Sequence, residues 1–364
     1  MKTYERRYDI DWLRVIAIGF LIIYHVAIMF QPWGVLIQFI QSSDSLTKLW
    51  IPMSMLNVWR IPILFFVSGM GVAFAMRKRN TIQLIKERTL RILLPFVFGI
   101  LFIVPIHVFL WQNYYNQDMT YSISRGHLWF LGNIFAYVIL LVLAKQFLSS
   151  KIVKHYVARI HKTRLGLLVL PILLLIEVLI VNPESFELHA MTWHGFFLGY
   201  IAFLYGFLTT NSKNNFLQLI KNNKYWTLLI ASALFAVRFY IYELEAPSTI
   251  KAIESGFWML TIVGLSASFL NRSNNALKYL SKAAYPVYIL HMIFMFLGAT
   301  IILPLQIDAF AKFLMITSFT FGGSLLSFEL IRRISFLRPL FGLKMKDNIT
   351  FRRDKSLEMK PCNT

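Results

Sequence analysis

Long apolar stretches dominate the chain, and its polar residues gather in short clusters between them. A run of roughly 17 to 25 apolar residues is the length that crosses a bilayer as a helix. Ten such runs occur, at about 10–30, 51–76, 92–109, 127–144, 165–181, 194–209, 226–242, 257–270, 285–302 and 310–331. The pattern predicts an all-α, polytopic membrane protein of about ten transmembrane helices. No connection is long enough to hold a second folded unit, and no internal repeat is evident. Residues 1–335 therefore read as one membrane domain, followed by a basic tail at 336–364.

Composition agrees with this reading. Of 364 residues, 57% are hydrophobic and only 15% charged, whereas a soluble domain needs about a quarter of its residues charged to cover its surface. The net charge of +20 would suggest nucleic acid in a soluble protein, but in a membrane protein it sets orientation. With the N-terminus inside, the cytoplasmic segments hold 30 of the 37 Lys and Arg, the outer loops hold Lys48, Arg125 and Lys251, and the spans hold Arg14, Arg60, Arg238 and Lys312. Adding or removing one helix would invert every later loop and destroy that partition. Both termini are thus expected in the cytoplasm, with the chain integral to a plasma membrane and no nucleic-acid partner. The first apolar run carries Asp11, Arg14 and His25, so it is expected to stay as an anchor rather than be cleaved. The single cysteine, Cys362, provides no disulfide framework, thiol metal site or prenylation box.

An ionisable group in a span costs at least about 2.5 to 3.5 kcal/mol, which makes each one a candidate for function. Arg14 and His25 are eleven residues apart, three helical turns plus about 20°, so they share one face of the first helix about 16 Å apart along its axis. A neutral imidazole there can take a proton from a hydroxyl and return it; a helix–helix hydrogen bond is the simpler role. Arg88 and Arg91, at i and i+3 before the third span, offer two forks suited to phosphates, or ordinary positive-inside charge. Arg60 lies in Asn57-Val58-Trp59-Arg60-Ile61-Pro62, where the proline removes a backbone donor and opens a niche. Ser68 and Gly69, farther along that helix, are small enough for another helix or a narrow ligand to approach. His107, His127, Glu177, His194 and Arg238 fall in the outer half and would form a titratable chamber if they face inward. Tyr288 and His291 share a face of the ninth span. No two histidines stand at i and i+4 beside a carboxylate, so no metal is expected.

The set Asp11-Trp12-Leu13-Arg14 with His25, Phe65-Phe66-Val67-Ser68-Gly69, Arg88 and Arg91 before Pro95, His127-Leu128-Trp129-Phe130-Leu131, and Tyr285-Pro286-Val287-Tyr288-Ile289-Leu290-His291 resembles the membrane-bound acyltransferase 3 family. Tyr8-Asp9-Ile10-Asp11 and Trp59-Arg60-Ile61-Pro62 look most like its glucans biosynthesis protein C branch, whose members succinylate periplasmic glucans. The resemblance implies transfer of an acetyl or succinyl group from cytoplasmic acyl-CoA to a hydroxyl of an extracytoplasmic glycan, in the bacterial inner membrane, with no tightly bound cofactor. By motif position, His25 would be the base and Arg14 its companion, with Arg60 stabilising charge. Arg88 and Arg91 would hold the donor, whose arm would pass Ser68 and Gly69. His127, Glu177, Arg238, Tyr288 and His291 would line the acceptor side or channel. The rival reading is a transporter or flippase for an acylated sugar or organic anion, but the two halves show no matching broken helices.

Overall fold

The computed structural model describes residues 7–148, 150–160, 162–211 and 216–345. Cys362, most of the basic tail, and Lys2 and Arg6 lie outside the described residues. Among the described residues the chain is helical with no strand. Every predicted run lies on a helix: α1 Tyr8–Ile28, α2 Trp50–Met76, α3 Thr81–Tyr114, α4 Gly126–Leu143, α5 Arg164–Val181, α6 Trp193–Asn211, α7 Lys224–Tyr240, α8 Ser248–Phe269, α9 Asn275–Ile302 and α10 Ala309–Ile331. All but α6 and α7 are long and apolar enough to span a membrane by length and composition. The protein is a polytopic helical membrane protein, as the apolar pattern requires.

The helix ends differ from those expected. α3, α8 and α9 begin nine to eleven residues before their apolar runs, because polar turns, side-chain capped in α3 and α9, carry the helix beyond its greasy part. Asn80 and Gln83 form a capping box at the start of α3, and the Asn274 side chain accepts from the Leu277 amide at 2.7 Å; each satisfies donors that a helix start leaves free. α3 also contains two π-helical turns, Thr89–Leu93 and Gly99–Ile103. Pro105, just after the second, has no amide hydrogen to give the Leu101 carbonyl, and the Tyr121 hydroxyl takes that carbonyl at 2.9 Å.

α2 is the central pillar, with 83% of its most apolar window buried inside the bundle. It packs on α6 through glycine: a Cβ on Gly69 would stand 1.9 Å from the Phe203 carbonyl oxygen, and one on Gly206 would stand 2.1 Å from that of Phe66. Gly69 therefore lets two backbones touch, the small-residue seam of membrane helices. Its face is therefore taken up by α6. The Ser68 hydroxyl donates to the Leu64 carbonyl of its own helix at 2.8 Å. α1 packs on α2 and α9, α9 on α10, and α8 on α5 and α7. Outward-facing Leu143, Leu179, Ile180, Leu326 and Leu330 are exposed, as a surface solvated by lipid tails allows. After α10, a turn of helix at Leu337–Leu340 brings Phe341 back into the core.

Two of the four in-span cations pair with a carboxylate from another segment. Arg238 is fully buried and grips Glu254 through Nε at 2.7 Å and Nη2 at 2.9 Å, while Trp258 Nε1 donates to the same carboxylate at 3.1 Å. It ties α7 to α8. Lys312 pairs with Asp44 at 2.9 Å. Lys251, counted with the outer loops, is in the first turn of α8 and buried.

Two outcomes follow from this packing. Gly69→Ala forces a carbon against a backbone oxygen and should destabilise the protein by about 1–3 kcal/mol, read as a lower unfolding midpoint in detergent; an unchanged midpoint contradicts the close approach. Glu254→Ala strands a buried guanidinium and should cost about 3–5 kcal/mol. A change within about 0.5 kcal/mol, as for a surface substitution, would count against a structural ion pair.

Candidate functional site

The two ends of the bundle carry different chemistry. At the histidine end, His25 Nδ1 on α1 lies 3.0 Å from His291 Nε2 on α9, with the rings stacked at 5.2 Å and 15°. His291 Nδ1 lies 2.6 Å from the Tyr288 carbonyl oxygen. A carbonyl only accepts, so Nδ1 carries the hydrogen and Nε2 of the neutral ring has a lone pair. That lone pair accepts the Nδ1 hydrogen of His25. His25 is half-buried, and its Nε2 is left as a lone pair with no protein hydrogen-bond partner among the described residues. The tautomers of both rings are thus fixed by a backbone carbonyl three residues before His291.

His127 and His107 extend the row. His127 Nε2 donates to the Ile289 carbonyl at 3.1 Å, leaving its buried Nδ1 without a partner. Its ring stands 5.0 Å from His291 and 5.4 Å from His107. The Tyr288 hydroxyl donates to the His127 carbonyl, so α9 holds the start of α4 from both sides of that residue. Gly126 has φ +45°, and a Cβ there would meet Val104 at 3.1 Å; only glycine suits that turn.

Arg60 faces this row from α2. It is 3% exposed, its guanidinium lies 3.6 Å over the Tyr24 ring, and it reaches Asn57 Oδ1 at 3.4 Å. Its Nε and Nη1 are buried with no partner. The positive charge acts on His25, His291 and His189, and no ion pair with a carboxylate is formed by Arg60 among the described residues. A cation–π contact is worth about 2 kcal/mol when desolvated, less than burial of an unpaired charge costs. The geometry is that of a site awaiting an anion or a developing negative charge.

Beyond Arg60 is a second cluster. Glu177 on α5 bonds His194 Nδ1 on α6 at 3.0 Å, and His194 Nε2 donates to the Phe186 carbonyl at 3.1 Å. Glu177 thus anchors the 182–192 connection. Glu187 of that connection pairs with Lys251 at 2.8 Å and accepts from Ser185 at 2.7 Å. Burial acts to raise the Glu187 carboxyl, but Lys251 and Ser185 hold it below its ordinary value. Its folded value is depressed, so the clamp stabilises above the ordinary carboxylate range and is lost as pH falls through the lowered value. His189 stacks on His194, and burial, with His194 and Arg60 beside it, pushes its ring down to about 3. Sequence reading missed His189 and Glu187 because both lie in a connection, where an ionisable residue costs nothing unusual.

At the opposite, basic end, Arg14 pairs with Asp11 at 3.6 Å and feels the charges of Arg88 and Arg91. It joins the arginines rather than His25. Arg79 and Arg91 share Glu87 Oε1 at 3.2 and 3.3 Å. Arg88 and Arg91 do not act as one fork, because the π-helical turn that begins at Thr89 separates them. Arg91 sits on Glu87, while Arg88 Nε is buried without a partner near Tyr285, whose hydroxyl is also buried and unpartnered. π-helical turns often mark functional positions.

No curated protein matches the chain, and no solved structure does. A family model described as an acyltransferase domain matches residues 7–329, a span that includes the imidazole row, Arg60 and the basic end. The chain therefore belongs to the acyltransferase 3 family and is a multi-pass membrane acyltransferase.

Proposed function

We propose that the protein moves an acyl group, acetyl or succinyl, from cytoplasmic acyl-CoA to a hydroxyl of an extracytoplasmic glucan or related glycan, in the bacterial inner membrane. The observation that carries this reading is the single lone pair left on His25 Nε2 by the carbonyl–His291–His25 chain, beside a buried guanidinium with two unbonded donor nitrogens. That is the pairing an acyl transfer to oxygen needs: a base for the hydroxyl and a cation for the oxyanion.

The donor's phosphates bind at the basic end, where Arg14, Arg79, Arg88 and Arg91 gather and Arg88 Nε has no protein partner. Arg88 and the Tyr285 hydroxyl offer directed donors, and the other three supply charge. The acyl thioester reaches toward α1's far end. His25 Nε2 takes the hydroxyl proton, the oxygen attacks the thioester carbonyl, and Arg60 Nε and Nη1 stabilise the oxyanion. The carbon–sulfur bond then breaks, and the sulfur leaves with the proton that His25 had taken. His291 holds the His25 ring in the one tautomer that can do this, so it is a positioning residue. If the acyl group is succinyl, as in the glucans biosynthesis protein C branch, Arg60 also suits its free carboxylate.

Proteoliposomes with labelled acyl-CoA inside and glucan outside test the reading. His25→Ala should lower turnover by about 10²- to 10⁴-fold, and His291→Ala by about tenfold or more through loss of ring orientation. Undiminished transfer by His25→Ala would sink the proposal. Transfer of label without release of free CoA would favour a carrier.

A further inference from the structure

His189 is buried at 3% exposure in the 182–192 connection between α5 and α6. Its Nδ1 lies 3.0 Å from the Glu187 carbonyl, so Nδ1 carries the hydrogen and Nε2 has the lone pair. That Nε2 is buried with no partner. Its ring is fixed by stacking on His194 at 5.4 Å and against Phe186 at 5.5 Å. The backbone is fixed too: a Cβ on Gly195 would stand 1.8 Å from the His189 carbonyl oxygen, so the connection lies directly on the start of α6. The Glu187–Lys251 and Glu177–His194 pairs clamp it to three helices. A mere link between two spans needs none of this.

Arg60 lies within electrostatic reach of both His189 and His25. Its Nε and Nη1 are donors without acceptors, and His189 Nε2 is an acceptor without a donor. These orphan groups are complementary in kind but are not bonded to each other. An anion would satisfy Arg60 and leave His189 bare, and a cation would be repelled. A group that both gives and accepts a hydrogen bond satisfies both, and an alcohol hydroxyl, the group an acyl acceptor carries, does so. Burial keeps the His189 ring neutral, with a value of about 3, so the lone pair is present throughout the physiological range.

We propose that His189 is an acceptor-binding residue: its Nε2 accepts a hydrogen bond from one hydroxyl of a neutral polyol, another hydroxyl of which His25 deprotonates. The 182–192 connection is then the wall that reads the acceptor. This rests on the reading of His25 as the base.

The test uses the full chain in proteoliposomes with acetyl-CoA or succinyl-CoA as donor and a β-linked glucose oligosaccharide or glycerol as acceptor. His189→Phe keeps the ring volume and its stacking but has no lone pair, whereas His189→Gln keeps an acceptor atom. His189→Phe should raise the acceptor KM by about 10- to 100-fold, the worth of one buried hydrogen bond, with the donor KM within about twofold. His189→Gln should recover most of that loss. An acceptor KM unchanged in His189→Phe overturns the proposal, as does a glutamine variant no better than phenylalanine, since that would make the role one of shape. A wild-type protein that acylates neither probe overturns the polyol assignment. If His189→Phe does not fold, His189→Met replaces it in the same comparison with the same expected order. Loss of transfer in His25→Ala with an indifferent His189→Phe removes this inference alone, whereas an active His25→Ala removes the base itself.

Discussion

A polar atom buried in hydrocarbon must find a partner or lose several kcal/mol, and that constraint shapes this protein. Helices answer it for the backbone, which is why the described chain has no strand. For side chains it separates two populations. Arg238 with Glu254, Lys312 with Asp44, and Glu177 with His194 are paired between elements, with Arg238 Nη1 alone of that guanidinium left unbonded. Arg60, Arg88, His127 and His189 each have a buried nitrogen with no partner. These lie toward the two ends of the bundle, and the proposed transfer assigns one end to a donor and the other to an acceptor.

The membrane helices were legible because an apolar run of spanning length rarely arises outside a bilayer. Their ends were less so, since the polar turn from Ser248 to Ser255 is helical with Lys251 and Glu254 paired to neighbouring segments, which hydropathy does not weigh. This error had a consequence for the site. With α8 starting at Ser248 rather than near residue 257, Glu254 moves into the bundle, and Arg238, otherwise a lone intramembrane cation and so a channel candidate, gains its counter-ion.

His25 was visible as a costly residue in a span, and Arg14 as its neighbour on one face. The helical wheel puts both on one face, but about 16 Å of axial separation is enough to put the two residues in different chemical environments: Arg14 with Asp11 and the arginines of the basic end, His25 with His291. The histidine partner is 266 residues away in sequence, so no local spacing could announce it. Its motif, Tyr288 to His291, carried the signal without the geometry. Only the fold brings the Tyr288 carbonyl, His291 and His25 into line and so decides which nitrogen of His25 has the free lone pair.

The position of Arg60 restricts how the proposed reaction can proceed. Its charge acts on His25 and His291 alike, so an imidazolium formed on His25 alone would stand near a fixed cation in a medium that screens poorly. An oxyanion formed at the thioester carbon reverses the balance, because it is attracted to both. Proton abstraction and attack on the carbonyl are therefore favourable together and unfavourable apart. A water molecule meeting His25 without a thioester in place gains no such compensation. In the proposed reaction the guanidinium that would stabilise the oxyanion would also restrain idle deprotonation at His25, and a buried cation without a carboxylate partner is what would allow it to do both.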